Sequence, residues 1–400
     1  PNWAADHRAS TFADRNGIFL RNAWEKFGHW SDDGRPTAKD MADEEGHRPF
    51  AVFEGCEGLA DLDRLEPAYF RSLDRKLRFL GEQGFVAMLE PVRRDVGPSW
   101  KAYFDFDASY ARFLQYLVAR YGAFNVILSG IHLDWIPKEY SLTAEEWNAA
   151  LIHHHKLYGP PPYGQPMTAL IDSSTYTRFG HGERCPWLTM HSVGNKPRHH
   201  GVYALIEEIF RLEPPYPVAN LEPYYAGWDH EINRPGGETP PAGSARDSYF
   251  ARAQMYGSFL SGGLAGHVYG TGAYDLTSTG EPAGWRPYVW EALRFPSGGQ
   301  LRHLATFALS EGERYRQLLL ASEALHPRKA PGAPEDGLDG WAFMMRTPDE
   351  SLALLYFEQE ASRGTVAELR PAARYRWTWF DPRQGRWLRD HGPDRQGSLA

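Results

Sequence analysis

The chain has 400 residues, with 43 Lys and Arg against 51 Asp and Glu, giving a formal net charge of −8. That sign disfavours a nucleic-acid partner, and no apolar run reaches the ~20 residues of a bilayer span, so membrane insertion is not expected. The length suits two domains or one large barrel with an appendage.

The first strand candidate is "GIFLRN" from Gly17, and "PFAVFEG" from Pro49 is the second. "EPAYFRSLDRKLRFLGEQG" follows as an amphipathic helix. Pro67 suits its first turn, Tyr69, Phe70, Leu73, Leu77 and Leu80 share a face, and Gly84 can end it. After the strand candidate "FVAMLEP" from Phe85, "DASYARFLQYLVARYG" reads as a second helix, N-capped by Asp107 and closed by Gly122. Strand candidates then begin at Asn125 ("NVILSGIH"), Met167 ("MTALIDS"), Trp187 ("WLTMHSV"), Pro217 ("PVANLEP") and Leu264 ("LAGHVYG"), with helices near 143–156, 202–212, 246–261 and 301–321. The runs are mostly continuous rather than alternating, as in parallel strands covered on both faces. Strands interleaved with helices predict a (β/α)8 TIM barrel. The alternative is a doubly wound open sheet, but no G-x-G-x-x-G follows any strand. The texture predicts a barrel over 1–322, a Pro/Gly-rich linker over 323–337 and a small antiparallel β-sandwich domain over 338–400. Its last part, "YRWTWFDPRQGRWLRD", reads as a hairpin around Asp381–Gly385.

In such a barrel the chemistry sits at the C-terminal ends of the strands. Those ends offer Glu90, Arg93, Arg94, Asp95 and Trp100 after the third run, then His132, Asp134 and Trp135 after the fourth. Further on come Asp172, His191 and Glu222, with Tyr224, Tyr225 and Trp228 behind Glu222, and His267 and Tyr269 after the eighth run. Glycoside hydrolysis needs two carboxyl groups flanking the scissile bond. Glu222 and Asp134, on strands seven and four, are the pair expected, with Glu222 as nucleophile, Asp134 as acid/base and His132 in reserve for that role. A Glu before Pro can equally terminate a strand and pair with an arginine. Trp, Tyr and Phe make up 14% of the chain, which suits a sugar-stacking surface or simply a large aromatic core. Arg93 and Arg94 offer a clamp for a uronic acid, or rim ion pairs with Asp95 or Glu90.

Other features carry less. Three consecutive His at 153–155 on a helix diverge and read as a solvated face. No metal-ligand spacing and no phosphate loop appears, so neither a metal nor another cofactor is expected. Cys56 and Cys185 allow one bridge or none. The start at Pro1 without Met reads as a trimmed N-terminus, and the expected location is periplasmic or secreted.

Several stretches together resemble the endo-apiosidase-like glycoside hydrolases: "LEPAYFRSLDRKLRFLGEQGF", "PVANLEPYYAGW", "RAQMYGSFLSGGLAGHVYG" and "WFDPRQGRW". The resemblance covers most of the chain. It implies a barrel with a C-terminal β domain and a catalytic Glu222 flanked by Asn220 and Tyr225. It also maps Arg252, Tyr256, His267, Tyr269 and Gly270 onto family positions. At the fourth strand this chain has "LSGIHLD" in place of the family's Gly-Gly-acid, and its third strand also ends differently. Those departures imply a divergent subgroup acting on another plant or algal glycan. On the same resemblance "PFAVFEG" belongs to an insertion, and the first barrel strand lies upstream of Pro1. Two other readings remain: a polysaccharide lyase using His132, His191 and Tyr224, and a carbohydrate-binding protein with a degenerate site.

Overall fold

The computed structural model describes residues 47–52, 60–134, 141–194, 200–272, 287–326, 337–362, 364–370 and 373–388. "GIFLRN", Cys56, Trp135 and most of the Pro/Gly-rich segment after 326 lie outside them. The chain falls into two compact units that part between Ser192 and Val193.

The first unit opens with β1 (Phe50–Val52) and β2 (Ala60–Leu65), paired antiparallel. "PFAVFEG" is therefore half of a hairpin and not a barrel strand, which corrects the count of eight parallel runs. Helix α1 (Pro67–Glu82) has Pro67 at its start and buries Tyr69, Phe70, Leu73 and Leu77, as their spacing predicts. After β3 (Ala87–Leu89) come α2 (Gly97–Tyr103) and α3 (Phe106–Tyr121). The N-cap of α3 is Asp105, whose carboxylate accepts from the Ala108 N–H, and not Asp107, which sits in the first turn. Two Asp two residues apart satisfy the same sequence rule, and only the backbone turn chooses between them.

Strand β4 (Val126–Leu133) lies between β3 and β5 (Met167–Ile171), parallel to both. Every residue of β5 is buried, which is why its sequence shows no alternation. Helix α4 (Ala144–Tyr158) starts with a full capping box between Thr143 and Glu146. His154 on it is 1% exposed and shares a hydrogen bond of 3.2 Å with Gln115, so the three-His run is not a solvated face. Burial, with His155 and His153 nearby, lowers its pKa to about 4. The unit closes with β6 (Ser173–Ser174), α5 (Thr175–Phe179) and the first half of β7 (His191–Gly194).

The second unit takes up β7 at Val193. It continues through α6 (Gly201–Phe210), β8 (Val218–Glu222), β9 (Tyr225–Ala226), α7 (Ala245–Leu260), β10 (Gly266–His267) and β11 (Gly270–Thr271). Strand β8 runs between β7 and β10, parallel to β10, and all five of its residues are buried. Strands β9 and β11 form a second parallel pair just beyond. Helix α7 is buried on nearly every side from Asp247 to Leu260, so it is a central element.

Helices α8 (Val289–Ala292) and α9 (Pro296–Ala308) lead to the C-terminal β structure. There β12 (Leu319–Leu320), β14 (Ala342–Arg346) and β15 (Ala353–Phe357) form a three-stranded sheet with β15 at its edge. Strand β13 (Leu325–His326) pairs with β16 (Thr365–Val366), and β17 (Phe380–Asp381) with β18 (Arg386–Trp387) in the expected hairpin. Gly385 sits at φ 67° in its turn. The β structure thus recruits chain from 319 onward, before the Pro/Gly-rich segment.

Candidate active site

In the first unit the site grows from a defect in β4. Ser129 pairs with Thr168 but His132 with Leu170, so β4 carries one extra residue opposite β5. Such a bulge twists a strand and re-aims the side chains after it. Gly130 sits inside it. A Cβ there would stand 2.6 Å from Leu151 Cδ2, and the Gly130 carbonyl accepts from the Tyr110 hydroxyl at 2.5 Å. Beyond the bulge the His132 N–H donates to the Val92 carbonyl at 2.9 Å, and Arg93 lies alongside His132 in a parallel bridge.

This brings five predicted residues together. His132 Nδ1 is 3.2 Å from Glu90 Oε2, and its Nε2 is 3.5 Å from Asp134 Oδ1. Arg94 donates through Nη1 to Asp134 Oδ1, and Arg93 Nη2 is 3.7 Å from Asp134 Oδ2. Asp134 directly follows the last residue of β4. Burial disfavours the His132 cation, but Asp134 and Glu90 outweigh it and raise the pKa to about 9. Burial also opposes ionisation of Asp134, yet His132, Arg93 and Arg94 hold its carboxyl well below the usual range. The cluster is therefore an imidazolium between carboxylates, with the arginines turned inward onto Asp134.

Trp100 stands apart. It is fully buried, packs against Phe106, Tyr110 and Phe113, and donates its indole N–H to Ser109 at 2.7 Å. It is a core side chain, with no face for substrate. Asp172 holds Arg178 through two hydrogen bonds of 3.0 and 2.7 Å. His191 is fully buried, with Nδ1 2.8 Å from Thr175 Oγ1 and Nε2 3.0 Å from His181 Nδ1. Burial, with His181 beside it, lowers the His191 pKa to about 4.

In the second unit Glu222 is the last residue of β8 and is 8% exposed. The Tyr225 hydroxyl donates to its Oε1 at 2.8 Å. Two glycines make room. A Cβ at Gly194 would lie 2.8 Å from the Glu222 nitrogen, and one at Gly270 would lie 2.3 Å from the Tyr225 ring. Asn220, on the same strand, donates to Ser258 Oγ at 3.0 Å and pairs in register with His267. Burial lowers the His267 pKa to about 3, so this ring is neutral. Tyr269 shares a 3.0 Å hydrogen bond with Ser297.

The aromatic residues after Glu222 divide by role. Tyr224 is 3% exposed and donates its hydroxyl to Asp247 at 2.6 Å. Tyr225, Trp228 and His230 form a short stack, with ring centroids 5.6 and 4.7 Å apart. Two residues that sequence reasoning missed hold this loop. Asn233, 1% exposed, accepts from the Tyr225 N–H and donates to the Tyr225 and Trp228 carbonyls, all at 2.8 Å. Asp247 accepts from the Gly227 and Gly243 N–H groups at 2.9 and 2.8 Å as well as from Tyr224. Burial raises its pKa against those three donors. The clustered Gly and Asn of "GWDHEINRPGG" signal a turn, but nothing in them tells that Asn233 is buried.

Among the described residues no group of three His, Cys, Asp or Glu is placed to hold a metal, and no helix is long and apolar enough to cross a membrane. Cys185 is buried and free, with its thiol pKa pushed up to about 11 by burial.

The fold has solved counterparts. A glycoside hydrolase family 5 protein from Bacteroides vulgatus superposes with TM-score 0.64 at 16% identity, over 89% of this chain and 75% of that one. A second structure, described as a glycoside hydrolase, gives TM-score 0.65 at 15% identity over 89% and 78% of the two chains. At these identities the likeness is one of fold, the mixed α/β fold of those enzymes. None of the curated proteins matches the sequence. The sequence profile of the apiosidase-like catalytic domain matches residues 37–312, more than half of the chain, and the protein therefore belongs to the apiosidase-like family of glycoside hydrolases.

Proposed function

We propose that the protein is a retaining glycoside hydrolase with a (β/α)8 barrel and a C-terminal β-sandwich, acting on a plant or algal poly- or oligosaccharide, with Glu222 as its nucleophile. The observation that carries this is Glu222 itself: a nearly buried carboxylate ending an apolar parallel strand, steered by the Tyr225 hydroxyl, in a chain of this family. A carboxylate nucleophile forms a glycosyl-enzyme that water then cleaves, with one group serving first as acid and then as base.

The acid/base falls to His132 in preference to Asp134. A general acid must hold a proton near working pH. Asp134 is kept ionised by two arginines and an imidazolium, while His132 carries its proton up to pH of about 9. Asp134 then acts through His132, holding its charge and ring. The lyase alternative finds little support, because Tyr224 spends its hydroxyl on Asp247 and both His191 nitrogens are engaged. We place the enzyme outside the cytoplasm, in the periplasm or secreted, where polymeric glycans are met.

The test is hydrolysis of a glycan panel by the wild type and Glu222→Gln, read as reducing ends and ultraviolet absorbance, with the product anomer followed by NMR. Reducing ends from the wild type alone, released with retained configuration, support the reading. Equal release by both proteins makes Glu222 structural, and ultraviolet-absorbing products make the enzyme a lyase. Glycan affinity without turnover in the wild type would make the chain a binding protein.

A further inference from the structure

The segment leading into α9 carries two open aromatic rings in contact with each other. Tyr288 is 39% exposed and Trp290 48%. Their centroids are 4.6 Å apart and their planes only 8° from parallel. Each ring covers one face of the other, so the exposure that remains lies on their outer faces and edges.

The pair is held in place. The Tyr288 N–H donates to Glu291 Oε2 at 3.0 Å, and the Tyr288 carbonyl accepts from the Glu291 and Ala292 N–H groups, both at 3.0 Å. Pro287 and Phe295 anchor the turn on either side. A Cβ at Gly272 would lie 2.8 Å from Pro287 Cδ, and a Cβ at Gly227 or at Gly243 would lie 2.7 Å from the Phe295 ring. Both anchors thus rest on glycines that leave them room. A turn fixed in this way presents its rings to a ligand at little cost in ordering.

The same glycines set the pair beside Glu222. Gly227 follows β9, whose Tyr225 donates its hydroxyl to Glu222, and the Gly272 N–H donates to the Ala226 carbonyl at 2.8 Å. A continuous series of contacts therefore leads from Glu222 through Tyr225, Ala226 and Gly227 to Gly272, Pro287 and the ring pair, all within the second unit. Open apolar area rimmed by charge, here the exposed Glu291 and Arg294, marks a surface that meets a ligand or partner. A protein partner would need a wider apolar face than these two rings and the neighbouring Leu293 offer. The C–H face of a sugar ring needs only one aromatic face, and Tyr and Trp add a polar edge for its hydroxyls.

We propose that Tyr288 and Trp290 form an outer sugar platform of the active site, on which one unit of a glycan chain stacks while a bond further along the chain is cut at Glu222. This rests on the glycoside hydrolase reading of Glu222 and deepens it: the substrate is an oligo- or polysaccharide of several units and not a small glycoside.

The experiment is calorimetric titration of the full chain in a Glu222→Gln background, so that no ligand is consumed. The probes are xylohexaose, mannohexaose and hexagalacturonate, each beside its own disaccharide. At least one hexasaccharide should bind ~10-fold or more tightly than its disaccharide. Trp290→Ala should remove that advantage and Tyr288→Ala should reduce it several-fold, with unfolding temperatures unchanged because both side chains are exposed. Trp290→Phe keeps a ring and should retain most of the advantage, which preserves the test if Trp290→Ala unfolds. Absence of binding to every probe overturns the proposal, as does equal binding of hexasaccharide and disaccharide. Unchanged affinity in folded Trp290→Ala and Tyr288→Ala also overturns it. So does a dimer in sedimentation that Trp290→Ala dissolves, since the rings would then belong to an interface between copies. If Glu222→Gln still releases reducing ends from the glycan panel, the catalytic reading fails by itself, while the titrations of Trp290→Ala against its parent still judge the platform.

Discussion

Asp134 and Glu222 are both carboxylates that directly end, or follow, a buried parallel strand, yet the groups described around them differ. Asp134 meets two guanidinium groups and an imidazole. Glu222 meets a phenol, with aromatic rings behind it. A carboxylate ringed by cations is held ionised and fixed, so it stabilises charge and orients a neighbour. One that accepts from a phenol is steered by that donor without a full opposite charge on it. Position on a strand selects both residues as candidates, and electrostatic company is what the proposed division of roles rests on.

The comparison breaks most readily at Glu222. Its change to Gln is expected to cut turnover ~10³-fold or more with little change in Tm, because Gln still accepts from Tyr225. Loss of activity in parallel with loss of fold would instead make Glu222 structural. Asp134→Asn should act the other way. It leaves Arg93 and Arg94 without their compensating charge and is expected to cost ~3–5 kcal/mol of stability, measured by denaturant unfolding. It should also move the basic limb of the rate–pH profile to lower pH, since His132 loses the neighbour that raises its pKa.

His132 sharpens the same contrast through pH. Its folded pKa of about 9 stands above the unfolded 6.5. The stability it supplies is therefore complete below pH 6.5 and is lost as pH rises through about 9, up to ~3 kcal/mol by linkage. Chemical denaturation from pH 6 to pH 10 should show that fall in the wild type and a flatter profile in His132→Gln. Asn233→Ala, which removes three hydrogen bonds from the Tyr225–Trp228 loop, should cost ~1–3 kcal/mol and raise KM more than it lowers kcat. The smallest effect is expected from Tyr225→Phe, a loss of ~10-fold or less in kcat, with stability nearly unchanged. A loss as large as that of Glu222→Gln would make the phenol a reacting group.

Much of the site was legible as a set of strand ends. A strand buried on both faces is written mostly in apolar residues, so the acid after "PVANL" or "VILSGIHL" announces itself. The amphipathic face of α1 and the Asp-Pro-x-x-Gly hairpin were legible for the same reason: local backbone needs dictate local residues. Trp100 was misread because an indole after a strand looks the same whether it faces solvent or core. Its burial is set by α3, whose Tyr110 and Phe113 close over it.

The amino-acid sequence by itself determined the alternation of buried strands and helices, the C-terminal hairpin, and Glu222 and Asp134 as carboxylates worth asking about, since each follows from nearest neighbours along the chain. Tertiary structure alone decided that Arg93 and Arg94 turn onto Asp134, that His132 is charged while His191 and His267 are neutral, and that Asn233 and Asp247 are the clamps behind the aromatic loop. It also decided that Gly194 and Gly270 leave room for Glu222 and Tyr225. The reason is physical: ionisation, steric clearance and hydrogen-bond satisfaction depend on which groups meet within a few ångströms, and those groups come from positions distant in sequence.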